Sequence, residues 1–131
     1  MSHDQLMQDK NAISVSAEVR YLPEHSDAGA ERYVFAYTIT IRNSGASRAQ
    51  LISRHWIITD ANDKTEEVRG PGVVGKQPML EPGDSFQYTS GAQISSPVGT
   101  MHGSYQMQAA DGTLFDAPIA PFTLAVPRVL H

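Results

Sequence analysis

The strongest constraint on this chain is that its apolar and polar residues alternate with a period of two. In residues 33–41, every second position carries a large apolar or aromatic side chain. Successive side chains of a β-strand point to opposite faces, so this period predicts a strand with one buried face. No stretch shows the 3.6-residue period of a helix. An all-β fold is therefore expected, and the core residues predicted for this strand are Phe35, Tyr37, Ile39 and Ile41.

Short strands separated by turns recur along the chain. The alternation predicts strands at residues 13–21, 33–41, 48–59, 65–69, 85–90, 103–108 and 118–126. About seven or eight short strands at this spacing are typical of an antiparallel sandwich or barrel. We expect one domain at residues 13–127, between a flexible N-terminal tail at 1–12 and a C-terminal tail at 128–131.

Two turns have recognisable chemistry. Pro82-Gly83 suits a type II turn, because proline fixes φ at the second position and glycine accepts a positive φ at the third. Asp111-Gly112 predicts a two-residue hairpin of type I′. The segment LISRHWII at 51–58 is harder to interpret, because both of its faces carry apolar residues. It is either a central strand covered on both sides or a strand in which a bulge switches the faces.

The charge balance and the amino-acid composition exclude several classes of function. Ten Lys and Arg face 14 Asp and Glu, for a net charge of −4, which argues against nucleic acid and anionic membrane as main partners. Cysteine is absent, so disulfides, zinc ribbons and thiol catalysis are excluded. The polar N-terminus lacks a secretory signal, and no apolar run approaches the roughly 20 residues of a membrane helix. A cytoplasmic protein without membrane insertion is expected.

Several segments together resemble the bacterial ApaG family from about Ile13 to Val126. They are YTITIRN at 37–43, QLISRHWIITD at 50–60, EVRGPGVVGKQP at 67–78, PGDSFQYTSG at 82–91, PVGTMHGSYQM at 97–107, and Phe115, Ile119 and Phe122-Thr123-Leu124. The chain departs from the family at Ala120-Pro121, where the family more often has proline directly after the isoleucine.

The resemblance implies a fibronectin-type-III-like β-sandwich and a link to cobalt and magnesium resistance or efflux. Related domains in eukaryotic proteins look like interaction modules. The family pattern supplies no agreed catalytic residues. We therefore expect a non-enzymatic interaction or regulatory module without a cofactor, whose partner is an unidentified protein or a second copy of the chain.

The glycine-rich segment 70–75 satisfies G-x-G-x-x-G literally. In a dinucleotide fold this motif opens a helix, but Pro78 follows closely and the βαβ context is missing. A loop between strands that does not lead into a helix is expected. An alternative function is a small-anion site for phosphate or a nucleotide, in which backbone N–H groups act beside two cations. Its candidate residues are Arg69, Gly70, Gly72, Val73, Val74, Gly75 and Lys76.

No preformed metal site or catalytic site is predicted. His55 and His102 are weak candidates for a transition metal, because imidazole suits cobalt but no histidines have paired ligand spacing. Asp60, Asn62 and Asp63 resemble part of a calcium loop that lacks its glycine and distal glutamate. No nucleophile elbow or triad spacing is present.

The segment 69–80 is long for a connection in a compact sandwich, where hairpin loops have about 2–5 residues. It carries Val73, Val74 and Met79. These residues either cap the core or form an exposed apolar centre rimmed by Arg69, Lys76 and Gln77, which would suit a partner.

Overall fold

The computed structural model describes residues 12–127, which form eight β-strands. The N- and C-terminal tails predicted from the sequence lie outside this range, except Ala12, whose carbonyl accepts a hydrogen bond from the Ser44 amide. The strands are β1 (Ile13–Tyr21), β2 (Tyr33–Asn43), β3 (Ala49–Asp60), β4 (Thr65–Pro71), β5 (Met79–Leu80), β6 (Ser85–Ile94), β7 (Val98–Ala109) and β8 (Leu114–Ala125).

The strands form two antiparallel sheets. One sheet has the order β1-β2-β6, and the other has the order β4-β3-β7-β8, with β5 paired to the start of β3. The strand β1 packs beside β8, so the sheets approach each other along that side. This arrangement confirms the predicted sandwich. The connection between β1 and β2 contains two short 3-10 turns, Pro23–His25 and Ala28–Ala30. Within residues 12–127, no helix has the length and apolar character to cross a membrane.

An aromatic cluster around Trp56 fills the centre of the core. The Trp56 ring lies 5.4 Å from Tyr37, 6.2 Å from Tyr105 and 5.8 Å from Phe122, with near-perpendicular edge-to-face geometry to the last two. Such aromatic pairs contribute beyond the apolar area that they bury. All four core residues predicted for β2 are buried, which confirms that the period-two pattern identifies the inner face.

A β-bulge in β3 explains why both faces of this strand are apolar. The pairing of β3 with β7 shifts between Leu51 and Ser53, and Ile52 has no partner in any ladder. Leu51 is fully buried before the shift, whereas Trp56 and Ile58 are buried after it. The inner face therefore changes from odd to even positions. Of the two alternatives left open by the sequence, the face-switching bulge is correct.

The predicted ends of several strands are wrong. The strand β7 begins five residues before the predicted start at Gly103, and β6 continues four residues past the predicted end at Ser90. Low strand propensity at Gly91 and at Gly99 hid these extensions, because pairing with neighbouring strands overrides such preferences. The strand β8 contains one extra residue opposite Met101–Gly103, which places the unusual Ala120-Pro121 at a bulge. Bulges tolerate a proline that cannot donate to the ladder.

One predicted turn is right and the other is wrong. Gly83 has φ +90°, and the Asp84 amide donates to the Glu81 carbonyl at 2.9 Å, as expected for type II. At the second turn only Gly112 has a positive φ, and its amide donates to Ala109. This is a three-residue hairpin loop that ends in a left-handed glycine, and not the predicted type I′.

A pair of buried tyrosines bridges the two sheets. The hydroxyl oxygens of Tyr88 on β6 and Tyr105 on β7 lie 2.5 Å apart. Burial raises the pKa of Tyr88 to about 12, and burial together with the Tyr88 hydroxyl raises the pKa of Tyr105. Both side chains are thus held neutral, because an ionised phenol in the core would lose its hydration.

The free energy of unfolding should fall as the pH rises above about 10, the ordinary pKa of tyrosine. Above this pH the unfolded chain loses tyrosine protons that the folded chain retains, so each buried tyrosine contributes a fall of about 1.4 kcal/mol per pH unit. For Tyr88 this loss continues up to its folded pKa of about 12. Urea unfolding between pH 9 and 11 measures the slope. Tyr88→Phe should make the slope shallower, and an unchanged slope would contradict this assignment.

Candidate functional site

The glycine-rich segment forms a tight hairpin at one edge of the five-stranded sheet. Arg69, Gly70 and Pro71 belong to β4, so the expected loop begins only at Gly72. The Val73 amide donates to the Lys76 carbonyl at 2.8 Å, and the Lys76 amide donates to the Val73 carbonyl at 2.9 Å. Val74 has φ +43° and Gly75 has φ +80°, which together form a type I′ turn. Residues 72–77 are called the 72–77 hairpin below.

The unpaired bulge residue of β3 anchors this hairpin. The Ile52 carbonyl accepts a hydrogen bond from the Gly72 amide and another from the Gln77 side-chain amide, both at 2.9 Å. A carbonyl oxygen has two lone pairs, so both bonds can form together. This carbonyl points toward β4, because the β3–β4 register that pairs Ser53 with Pro71 also places Ile52 opposite Gly72. Ile52 therefore supplies one acceptor that holds both ends of the hairpin.

Arg54 makes a second attachment from β3. Its Nη1 donates to the carbonyls of Pro71 at 3.0 Å and Gly72 at 2.9 Å. Arg54 lies opposite Gly70, and a Cβ at that glycine would lie about 3 Å from the guanidinium. The missing side chain of Gly70 thus leaves room for the arginine. The first glycine of the motif serves packing within the protein.

The three apolar residues of the segment have different environments. Val73 is fully buried in the core, whereas Val74 is 54% exposed and Met79 is 48% exposed. The sequence left open whether these residues cap the core or are exposed. Val73 packs in the core, and its neighbour Val74 is exposed. Val74 combines exposure with a left-handed backbone, which is a rare conformation for a β-branched residue. An exposed and strained valine at a firmly held turn serves no packing purpose.

The backbone donors predicted for an anion are largely used within the protein. The amides of Gly72, Val73 and Lys76 all donate to backbone carbonyls. The hairpin is followed by β5, and no helix N-terminus faces it within the described chain. An anion near this segment would therefore depend on the side chains of Arg69 and Lys76, which are both exposed.

An open groove of about 660 Å³ runs beside the hairpin across the outer face of the larger sheet. Its residues are polar for the most part and include two arginines. They are Ile52, Ser53, Arg54, His55, Arg69, Gly70, Pro71, Gln77, Ser104, Gln106 and Asp116. The volume falls within the range of ligand sites, but such sites are usually more apolar. A charged or strongly polar group fits this lining better than an apolar ligand.

Glu67 lies between the Arg69 guanidinium and the His55 imidazole at the rim of the groove. Its Oε2 is 3.7 Å from Arg69 Nη2 and 3.6 Å from His55 Nε2, and the imidazole nitrogen has no hydrogen-bond partner within residues 12–127. Glu67 and Arg69 are more than half exposed, so solvent screens this pair and its contribution to stability is small. Ser104 lies opposite His55 in the ladder. Between residues 12 and 127, no hydrogen bond joins its hydroxyl to the imidazole.

The weak metal candidates lie on one face but do not form a cluster with acids. His55 on β3 pairs with Ser104, and His102 on β7 pairs with Ile57, so the two histidines are diagonal neighbours. Across the described range, no three His, Asp or Glu side chains are placed to hold a metal ion. Asp60 Oδ1 accepts from the amides of Asn62 and Lys64, both at 2.9 Å. The segment that resembles a calcium loop is thus a hairpin turn closed by this aspartate.

The sequence pattern does not identify the roles of Ile52 and Arg54, and it places Gln77 only at the rim of the predicted patch. The one sequence signal for them is the apolar character of both faces at 51–58, which indicated the bulge. The partners of the bulge carbonyl lie about 20 or more positions away along the chain, beyond what periodicity reports.

Comparisons with known proteins agree with this architecture. The ApaG domain family matches residues 23–109. The chain is 63% identical to Protein ApaG of Thiobacillus denitrificans over 122 residues, which are 93% of this chain and 96% of that protein. The chain belongs to the ApaG family. A crystal structure of an ApaA protein from Bordetella pertussis superposes with a TM-score of 0.90 at 51% identity, covering 92% of this chain and 98% of that one. Protein ApaG of Nitrosospira multiformis is 60% identical, over 93% of this chain and 96% of that protein.

Membership of the ApaG family confirms the resemblance drawn from the motifs. The matched range 23–109 includes β2 to β7 and therefore both anchors of the hairpin. The glycine-rich segment that suggested a nucleotide motif lies inside this range. In this ApaG chain, Gly70 leaves room for Arg54, and Gly72 and Gly75 have a positive φ. Local structure thus accounts for all three glycines.

Gly72→Ala should destabilise the protein more than Gly75→Ala. Both glycines have a positive φ, at +59° and +80°, but only at Gly72 would a Cβ overlap the Lys76 carbonyl oxygen. The left-handed backbone costs about 1–2 kcal/mol in either variant. Steric overlap adds about 1–3 kcal/mol at Gly72. Denaturant unfolding of both variants measures the difference, and equal losses would contradict the hairpin geometry.

Proposed function

We propose that this ApaG chain is a non-catalytic protein-interaction module whose docking surface is the tip of the 72–77 hairpin. The observation that carries the proposal is the conformation of Val74. Strained residues persist where the surrounding structure holds them, and they concentrate at functional positions. Val74 is both strained and 54% exposed. An apolar side chain kept in this position gains its stabilisation when a partner covers it.

The anchoring of the hairpin supports the same proposal. Val73, Ile52 and Arg54 hold the turn from three directions, so Val74 is presented in one orientation. A preorganised contact binds more tightly because less freedom is lost on association. The exposed side chains of Lys76 and Arg69 place positive charge around the apolar tip. This composition suits a partner surface that combines an apolar pocket with acidic residues.

The proposal includes the cellular role that the family resemblance implies. The module acts in the cytoplasm, and its partner takes part in cobalt and magnesium homeostasis. The metal association then arises through the partner, since the described residues offer no cluster of three metal-ligating side chains.

Val74→Asn should stabilise the isolated protein and abolish its binding to the partner. Asparagine tolerates the left-handed region, so the strain of about 1 kcal/mol should be relieved, and the apolar contact should be lost. Leu114→Asn is the matched control, because Leu114 is also 54% exposed but lies on β8. Quantitative affinity purification from the native cytoplasm compares the proteins retained by each variant. Retention of the same proteins by Val74→Asn and the unaltered chain would contradict docking at the tip.

A second candidate function is the binding of a small anion, such as phosphate or a nucleotide, at segment 69–76. The observation that favours it is the presence of Arg69 in the polar groove, in a chain with a net charge of −4. Arg69 and Lys76 are both exposed. An anion in the groove would bind the Arg69 guanidinium, with Lys76 as a second positive charge.

Pyrophosphate and ADP should raise the thermal stability if this second function is correct. A ligand at a hundredfold over its Kd adds about 2.7 kcal/mol to the free energy of unfolding. Arg69→Gln should abolish the effect, whereas Arg20→Gln, on the opposite sheet, should retain it. No shift with either ligand at millimolar concentration would exclude this candidate and leave the interaction module.

A further inference from the structure

The four long strands at the sheet edges differ in how they are protected against pairing with another chain. Charged residues, prolines and bulges are the usual protection. The strand β4 carries Glu66, Glu67, Arg69 and Pro71, and β8 contains Asp116, two prolines and a bulge. The strand β1 carries Glu18 and Arg20 and packs beside β8. Three of the four edges thus carry protective features.

The edge strand β6 has none of these features. Its ten residues, SFQYTSGAQI, include no charged residue and no proline, and its pairing with β2 is regular throughout. On the side away from β2, no other strand of residues 12–127 pairs with it. An edge of this length without protection is a template for strand addition. Its exposed face is polar and small, with Gln87, Thr89 and Gly91 outward, so the strand remains compatible with water.

We propose that β6 is a docking strand for an extended segment of a partner protein, which adds to the β1-β2-β6 sheet in antiparallel orientation. The proposal rests on the interaction role proposed above but uses a different surface from the 72–77 hairpin. Main-chain hydrogen bonds supply the affinity in such additions, and alternate side chains of the added strand supply the specificity.

The side chains beside β6 define the chemistry of this segment. Every second residue of an added strand would face the gap between the sheets. That gap is lined from β4 and β3. Glu66 shares a recess at the end of β6 with Asp60, Lys64, Gln93 and Ile94, so the acidic side chains there outnumber the basic one. Val68 is half-buried against the core. Arg54 lies opposite Tyr105 in the ladder, and the Tyr105 hydroxyl bonds Tyr88, so Arg54 faces the middle of β6.

The order of these groups predicts the order of the partner residues. An antiparallel segment enters at the Ile94 end of β6, where Glu66 would pair with a basic residue. Its next inward residue would meet Val68 and should be apolar. The third would approach Arg54 and should be acidic. Glu66 and Gly70, the ladder partner of Arg54, are four positions apart, about 13 Å. The spacing matches the pattern basic–x–apolar–x–acidic in an extended chain.

Two peptides of identical composition test the proposal on the whole chain. The first is acetyl-TKTVTET-amide, which has the predicted order, and the second is acetyl-TETVTKT-amide, in which the charges are exchanged. Titration of isotope-labelled protein, followed by NMR, should show amide shifts that concentrate in residues 85–94 with the first peptide. The first peptide should bind about tenfold more tightly than the second, since misplaced like charges oppose binding.

Two variants separate this inference from the hairpin proposal. Glu66→Lys should reduce or reverse the preference between the peptides, and Val74→Asn should leave it unchanged. Equal binding of both peptides, shifts confined to other strands, or no binding at millimolar peptide would each overturn the proposal. Pairing of β6 with a second copy, seen as a dimer by light scattering that Thr89→Lys dissociates, would also overturn it. The hairpin proposal could fail while the peptide result stands, because Val74 lies between β4 and β5 and not on β6.

Discussion

The extra residue in β3 between Leu51 and Ser53 determines most of what is distinctive in this structure. By shifting the inner face from odd to even positions, it allows Leu51 and Trp56 to be buried in the same core. The extra residue is Ile52, whose carbonyl points toward β4 and the Gly72 amide. Because that carbonyl accepts from both ends of the 72–77 hairpin, the bulge couples the core to the proposed docking surface. Bulges next to functional sites commonly redirect groups in this way.

Preorganisation connects the anchoring of the hairpin to the proposed function. Val73 occupies the core and Val74 points outward in a strained conformation, so two adjacent valines have opposite roles. The turn is held by its own Val73–Lys76 hydrogen bonds, by the bonds that the Ile52 carbonyl accepts and by the bond that Arg54 donates to Gly72. Asn or Gly would satisfy a type I′ turn more easily than Val74 does, and this unfavourable choice is the basis of the proposed contact with a partner.

Sequence periodicity predicted the fold because each strand of a sandwich has one buried face. The β2 positions Phe35, Tyr37, Ile39 and Ile41 show this directly. Periodicity could not predict where β6 and β7 end, since pairing extends strands through glycines that have little preference of their own. It also could not pair Ile52 with Gly72 and Gln77, because these contacts depend on the path of distant segments. Of the candidate residues, Arg69 and Lys76 were predicted, whereas Arg54 required the structure.

Hydrogen exchange at the amides of Val73 and Lys76 tests the central claim that the bulge and the core hold the hairpin in one conformation. Each amide donates to the other residue's carbonyl. If the hairpin is part of the cooperative fold, both amides should exchange only through global unfolding, with the same free energy as amides in the centre of β2. Exchange of both at the rate of an unprotected loop, while β2 remains protected, would show that the hairpin opens independently. That result would contradict the account.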